Sequence, residues 1–68
     1  TGMDMKYIIV ANNDYGEQTI YCSGTTSEGI PHFVFDIEAA GKFRGEIAEY
    51  LTLLCNRLAP YYFVTQEI

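Results

Sequence analysis

Apolar side chains recur at intervals of three or four residues near the end of the chain, which is the spacing at which one face of an α-helix repeats. The recurring positions are Ala40, Phe43, Ile47, Leu51, Leu54 and Leu58. The pattern predicts a helix from Lys42 to Leu58, with its start left open back to Glu38. Gly41 and Gly45 leave that start open because glycine costs about 1 kcal/mol relative to alanine inside a helix. Pro60 should end the helix.

Four shorter runs have the composition of β-strands. Residues 6–11 are almost continuously apolar and β-branched, residues 18–23 and 32–37 alternate apolar with polar positions, and residues 61–68 are aromatic and β-branched. Because side chains alternate between the two faces of a strand, Phe33, Phe35 and Ile37 are expected to lie together beneath the helix.

The order strand, strand, strand, helix, strand predicts an α+β fold of two layers, in which one helix covers one face of a four-stranded mixed sheet. The first two strands should form an antiparallel hairpin with its turn at residues 12–16. The third and fourth should be parallel neighbours joined by a right-handed crossover through the helix. Residues 1–68 are expected to form a single domain, with residues 1–4 as a ragged or foreign start.

The charge of the chain restricts its partners. Nine acidic and four basic side chains give a formal net charge of −5. This charge disfavours general nucleic-acid binding and favours a basic protein surface as partner. No apolar run approaches the ~20 residues that a membrane-spanning helix needs, and there is no signal-peptide pattern. The expected location is therefore the cytoplasm, with no membrane partner.

No catalytic, cofactor or metal site is predicted. The one conceivable nucleophilic dyad combines Cys22 with His32, the single histidine, and Asp36 as the orienting acid. Phe33 should occupy the core side of its strand, which would turn His32 away from the inward-pointing Cys22. One histidine and two dispersed cysteines also cannot supply a tetrahedral zinc site. The chain is accordingly expected not to be an enzyme and to bind no cofactor.

Three further features have structural interpretations. Cys22 and Cys55 are expected to be small buried side chains, with a disulfide between sheet and helix as the alternative. Glu46 and Glu49 should belong to the solvated face of the helix. The segment from Gly41 to Gly45 lies where a phosphate-binding loop would, but it lacks the glycine count and the Ser/Thr of such a loop.

One segment resembles part of a nucleic-acid-binding fold. The residues Gly-Ile-Pro-His-Phe-Val-Phe at 29–35, followed by Glu-Ala-Ala at 38–40, resemble the third strand and second helix of RNA-recognition domains, in which aromatic side chains stack on bases. The first helix of that fold is missing, and Glu28 stands where a basic residue precedes the motif. Together with the net charge, these departures argue against RNA binding.

A second resemblance covers about half of the chain. Residues 35–40, 47–51 and 56–58, with a short final strand, are similar to many small uncharacterised proteins of bacteriophages and other mobile elements. Those proteins consist of a hairpin, an Ala/Glu-rich helix and a last strand. The resemblance implies a non-enzymatic accessory role, such as inhibiting or modifying a host protein. Gly41 and Gly45 depart from the pattern.

Two surfaces are candidate protein interfaces. The first is a strip on the outer side of the helix, and the second is the sheet face that one helix cannot cover. Their residues are Tyr50, Leu53 and Arg57 on the helix, and Tyr21, Val34 and Tyr61 on the sheet. The expected function is a small acidic protein-binding module, for example an inhibitor or modulator of a host protein. The alternatives are a structural homodimer or assembly subunit, and a small ligand-binding or enzymatic domain.

Overall fold

The fold is given by a computed structural model, which describes residues 6–12, 19–59 and 61–68. The elements are β1 (Tyr7–Asn12), β2 (Thr19–Thr25), β3 (Pro31–Val34), a short 3₁₀ helix (Ile37–Ala39), α1 (Gly45–Leu58) and β4 (Phe63–Glu67). The α+β class and the element order are confirmed. Residues 1–4, residues 13–16 of the expected hairpin turn and Pro60 lie outside the described residues.

The sheet has the strand order β3-β2-β1-β4, and each of its pairings is antiparallel. The expected mixed sheet, with its third and fourth strands parallel, is therefore wrong, because β3 and β4 form opposite edges. The reason lies in residues 35–44, which run back along the sheet before the helix begins. The helix then runs in the same direction as β3. The chain reverses direction after the helix, and β4 is therefore antiparallel to β1.

The returning segment is held between two strands that diverge. Within the described residues, β1 and β2 pair only from Val10 to Asn12 and from Thr19 to Tyr21. Beyond them the Gly41 N–H donates to the Cys22 carbonyl at 3.0 Å, and Phe43 exchanges two main-chain hydrogen bonds with Tyr7 at 3.1 and 2.8 Å. Since this backbone is extended, the helix cannot start at Lys42 or Glu38, and it begins at Gly45 after the extended N-cap residue Arg44.

The third strand is shorter than its alternation predicts. It ends at Val34, and Asp36 then turns the chain into the 3₁₀ helix by accepting a hydrogen bond from the Glu38 N–H at 3.0 Å. Phe35 and Ile37 consequently do not lie beneath α1, and 64% and 55% of their surfaces are exposed. Only Phe33 of the three packs against the core, where its ring stacks on Phe63 with the centroids 5.2 Å apart.

The core lies between α1 and the sheet. Its buried members are Ile9, Ala11, Ile20, Cys22, Leu51, Cys55 and Phe63. From α1 the sheet buries Ala48, Leu51 and Cys55, whereas Ile47 and Leu58 of the expected stripe are exposed. The buried face of α1 is therefore rotated from the predicted one by part of a turn, and two of the six residues of the apolar stripe are left outside the core.

Candidate interaction surfaces

The sheet covers only part of the apolar surface of α1. Its uncovered part, here called the helix flank, consists of Ile47, Tyr50, Leu53, Leu54, Arg57 and Leu58. Spacings of three, four and seven residues make these side chains neighbours on one side of the helix. Tyr50 and Leu53 expose 64% and 66% of their surfaces, and Leu54 is partly buried against the core. The structure thus brings the predicted residues Tyr50, Leu53 and Arg57 together.

Two polar contacts with β4 explain the orientation of the helix. The Thr52 and Thr65 hydroxyls are 2.7 Å apart, and the Thr52 hydroxyl also donates to the Ala48 carbonyl at 2.7 Å. One turn later, the Asn56 side-chain amide bonds to the main chain of Phe63 at 2.6 and 3.1 Å. These contacts hold the Thr52 side of α1 against β4, and they leave the opposite side of the helix, with its apolar flank, facing outward.

Charged residues border the helix flank. Glu46 and Glu49 are each one helical turn before Tyr50 and Leu53, respectively, and both are exposed. Arg57 lies within the flank near its other end. An aromatic ring, an exposed leucine and an arginine together have the composition of residues that dominate protein interfaces.

The sheet face that points away from α1, here called the reverse face, is less open than expected. Tyr21 and Val34 are cross-strand partners on it, as predicted, and both are half-buried. In its centre Ile8 and Val10 expose only 5% and 8% of their surfaces. Tyr61 makes an edge-on contact with the core ring of Phe63 at a centroid distance of 6.5 Å, which places it with the opposite face. Of the three residues predicted for the open sheet face, Tyr21 and Val34 therefore lie on the reverse face, and Tyr61 does not.

An open cavity lies between the first two turns of α1 and the strands below. It has a volume of about 500 Å³ and is lined by Tyr7, Gly45, Glu46, Glu49 and Thr65. We call it the acidic cavity, because two of the five lining side chains are carboxylates. Sequence reasoning placed the two glutamates on a plain solvated face. No local pattern could reveal the cavity, because its walls come from β1, α1 and β4.

The conceivable catalytic dyad is not assembled. The Cys22 thiol is fully buried and donates to the Gly24 carbonyl at 3.5 Å, whereas His32 is exposed. The His32 Nδ1 atom lies 2.9 Å from the Ser23 hydroxyl. Asp36 caps the 3₁₀ helix rather than orienting the imidazole.

The Ser23–His32 contact was not predicted from the sequence, and it has a structural explanation. Ser23 is the extra residue at a β-bulge where β2 shifts register against β3, and Gly24 beside it has φ of +137°. The Ser23 hydroxyl donates its single proton to the His32 carbonyl at 3.2 Å. When the hydroxyl donates to this carbonyl, its contact with His32 Nδ1 requires that Nδ1 carry the proton. The contacts between Ser23 and His32 therefore stabilise the bulge.

The two cysteines are free thiols, both fully buried in the core. This confirms the expectation of two small buried side chains over the disulfide alternative. Burial, together with the neighbouring Cys22 thiol, raises the pKa of Cys55 to about 12. A thiol that stays protonated is a poor nucleophile and a poor metal ligand.

Among the described residues, no group of three or more His, Cys, Asp or Glu side chains is placed to hold a metal ion. In the same residues, no helix combines the length and the apolarity that crossing a membrane requires. Comparison of the chain with protein-family models, curated protein sequences and solved structures finds no significant match to any of them. The geometry of the chain itself therefore carries the functional argument.

Proposed function

We propose that this chain is a protein-binding module that docks through the helix flank onto a partner surface with an apolar pocket and a basic rim. The observation that carries the proposal is the exposure of Tyr50 and Leu53 on the same side of α1 as Ile47 and Leu58. Four large apolar side chains are thus exposed on one side of a 14-residue helix. Surfaces of this kind mark interaction sites more often than inert ones.

Charge favours a basic partner. The net charge is −5, and Glu46 and Glu49 lie beside the flank. Complementary charge at the rim of an interface speeds association, and added salt weakens this effect. The resemblance of residues 35–40, 47–51 and 56–58 to small phage and mobile-element proteins implies a host protein as the partner, and an accessory role such as inhibition or modulation of that protein. A basic groove of a nucleic-acid-handling protein has the required chemistry.

A homodimer is the second candidate function. It is favoured by Val64 and Ile68, which are exposed on the reverse face beside the buried Ile8 and Val10. A second copy that covered these side chains would bury an apolar sheet face. Sedimentation of the purified chain over a range of concentrations distinguishes this candidate from the first, because the docking module is expected to remain a monomer.

The test of docking places a photo-crosslinking amino acid at position 53 and, as a control, at position 30. Ile30 is a suitable control because it is exposed and apolar but lies in the turn between β2 and β3. Proteins crosslinked in host lysate at position 53 alone are identified and purified, and their affinity is measured for the unmodified chain. Matched variants Leu53→Asp and Ile30→Asp place the same charge in the flank and in the turn.

We expect Leu53→Asp to weaken binding at least about tenfold and Ile30→Asp to leave it unchanged within about twofold. Equal effects of the two substitutions would contradict docking through the flank. Recovery of only the chain itself, together with a dimer in sedimentation, would replace the proposal with the homodimer. Recovery of nothing at position 53 with a monomer in sedimentation would reject both.

A further inference from the structure

The outer edge of β4 carries main-chain groups that no described strand pairs with. Ile68 donates to the Lys6 carbonyl at 2.6 Å, and the register pairs Ile8 with Gln66. In an antiparallel pair, alternate residues direct both main-chain groups toward the partner strand. Residues 64, 66 and 68 therefore bond to β1, and the N–H and C=O groups of residues 63, 65 and 67 point outward.

At one of these three positions, Phe63, the outward main-chain groups already have hydrogen-bond partners. The Asn56 side chain accepts from the Phe63 N–H and donates to the Phe63 carbonyl, as a neighbouring strand would do. Thr65 and Glu67 have no such partner from α1 for their main chains within the described residues. The remaining edge contains no proline, no lysine and no bulge, and its one charged side chain is that of Glu67. The opposite edge strand, β3, has only four residues and begins with Pro31.

The open part of the edge lies beside the acidic cavity. Thr65 lines the cavity, and Glu67 is the cross-strand partner of Tyr7, which lines it too. The side chain of Glu67 shares the α1 side of the sheet with Thr65, because the two are separated by one residue. A strand added at this edge would place its alternate side chains about 5 Å from those of Thr65 and Glu67. Because Thr65 lines the acidic cavity, such a side chain would lie beside the cavity.

We propose that the β4 edge binds an extended segment of a partner protein as a fifth strand and that a lysine or arginine side chain of this segment enters the acidic cavity. The main chains of Thr65 and Glu67 supply the hydrogen bonds, and the carboxylates of Glu46, Glu49 and Glu67 supply the charge. A long basic side chain suits the site because its methylene stem can pack along Tyr7 while its cationic end meets the carboxylates. This surface shares Glu46 and Glu49 with the border of the helix flank, but it uses none of the residues that form the flank itself.

Charge also decides against a second copy of the chain as the occupant. Pairing two β4 edges would bring the Glu49 and Glu67 side chains of both copies to the same interface. Like charges placed opposite each other across paired strands are destabilising. A basic segment instead neutralises the acidic side chains that it covers.

The test uses short capped peptides that alternate threonine with valine and carry lysine, glutamate or glutamine at the centre. Binding to the full chain is followed by NMR through the amide signals of Thr65 and Glu67. We expect the lysine peptide to shift these signals, to bind at least about tenfold more tightly than the glutamate peptide, and to weaken as salt is added. N-methylation of alternate peptide bonds on the pairing side is expected to abolish binding.

A pair of variants separates main-chain pairing from charge. Glu67→Pro removes an N–H that points away from β1, so the pairing of β4 with β1 is retained. The same substitution prevents an added strand from pairing at this position. Glu67→Gln removes the charge and keeps the N–H. We expect Glu67→Pro to abolish binding of the lysine peptide and Glu67→Gln to weaken it about threefold, with the β1–β4 amide signals reporting that both variants are folded.

Three results would overturn the proposal: no binding of the lysine peptide, equal binding of the lysine and glutamate peptides, or binding that survives Glu67→Pro. A dimer of the chain that Glu67→Pro dissociates would assign the edge to a second copy and overturn it as well. Leu53→Ala, which removes the flank side chain without adding a charge, is expected to leave peptide binding unchanged. Failure at the β4 edge and failure of docking through the helix flank are thus separate results.

Discussion

The side chain of Asn56 makes two hydrogen bonds with the main chain of Phe63. Its Oδ1 atom accepts from the Phe63 N–H at 2.6 Å, and its Nδ2 atom donates to the Phe63 carbonyl at 3.1 Å. One amide therefore satisfies both outward groups of the first residue of an edge strand. The contact fixes the end of α1 against β4, and it limits the open edge to Thr65 and Glu67.

Replacing Asn56 with alanine should destabilise the fold by about 1–3 kcal/mol, because it leaves a half-buried N–H and C=O without partners. Urea unfolding followed by circular dichroism measures the change. Arg57→Ala serves as the control, since Arg57 is the next residue, is exposed and makes no contact with Phe63 among the hydrogen bonds described. Equal free energies of unfolding for the two variants would contradict the role assigned to Asn56.

The close packing of the returning segment predicts a large effect at Gly41. A β-carbon at this position would lie 2.7 Å from the Ser23 carbonyl oxygen and 2.6 Å from the Phe43 ring. The ring can move, but the carbonyl belongs to β2 and cannot move without disturbing the sheet. We expect Gly41→Ala to cost about 1–3 kcal/mol in the free energy of unfolding.

Gly45→Ala is the matched control for this prediction. Its added β-carbon would meet only the Tyr7 ring, with the nearest atom at 3.3 Å, and alanine is favoured over glycine by about 1 kcal/mol within a helix. The cost of Gly45→Ala should therefore be clearly smaller than that of Gly41→Ala. A larger cost at Gly45 in thermal or urea unfolding would show that the segment is not packed between β1 and β2 as described.

Sequence patterns predicted the elements of this fold better than their arrangement. Hydrophobic periodicity identified the helix and all four strands because it depends on neighbouring residues. The direction of β4 depended instead on residues 35–44, which return the chain along the sheet, although Phe35 and Ile37 continue the strand alternation and Ala40 and Phe43 share the helical spacing. The same segment sets the helix start, because Phe43 pairs with Tyr7 across 36 positions of sequence. A contact of that kind is not visible in a local window.

The candidate surfaces show the same limit. Tyr50, Leu53 and Arg57 were grouped correctly because helical spacing alone makes them neighbours. Tyr61 was assigned to the wrong face of the sheet, since alternation within a strand gives two sets of side chains but does not say which set meets the core. The acidic cavity was missed because Tyr7 and Thr65 come from strands that are paired only in the tertiary structure.

The buried thiol of Cys55 predicts a pH dependence of stability. Its pKa rises from 9.0 to about 12 in the folded chain, chiefly because burial disfavours the thiolate. In the unfolded chain the thiol ionises near pH 9, so unfolding releases a proton at higher pH. The contribution of Cys55 to stability is therefore complete below pH 9 and is progressively lost as the pH rises toward 12.

The measurement compares urea unfolding of the unmodified chain and of Cys55→Ala at pH 8 and pH 10.5. The two proteins differ only at position 55, so the difference between their stabilities isolates the thiol. We expect the stability advantage of the unmodified chain over Cys55→Ala to shrink between the two pH values. An advantage that grows with pH would mean that the thiol ionises in the folded core.

The rotation of α1 predicts unequal costs for leucines that belong to one sequence stripe. Leu51 lies in the core, whereas Leu58 is 61% exposed, although both belong to the same apolar period. Leu51→Ala should cost about 2–4 kcal/mol, because it removes buried methyl groups and leaves a cavity. Leu58→Ala should cost less than about 1 kcal/mol, because its side chain is largely in solvent. Chemical unfolding of the two variants measures both values, and similar costs would mean that the sheet covers the stripe symmetrically and that the helix flank is part of the core.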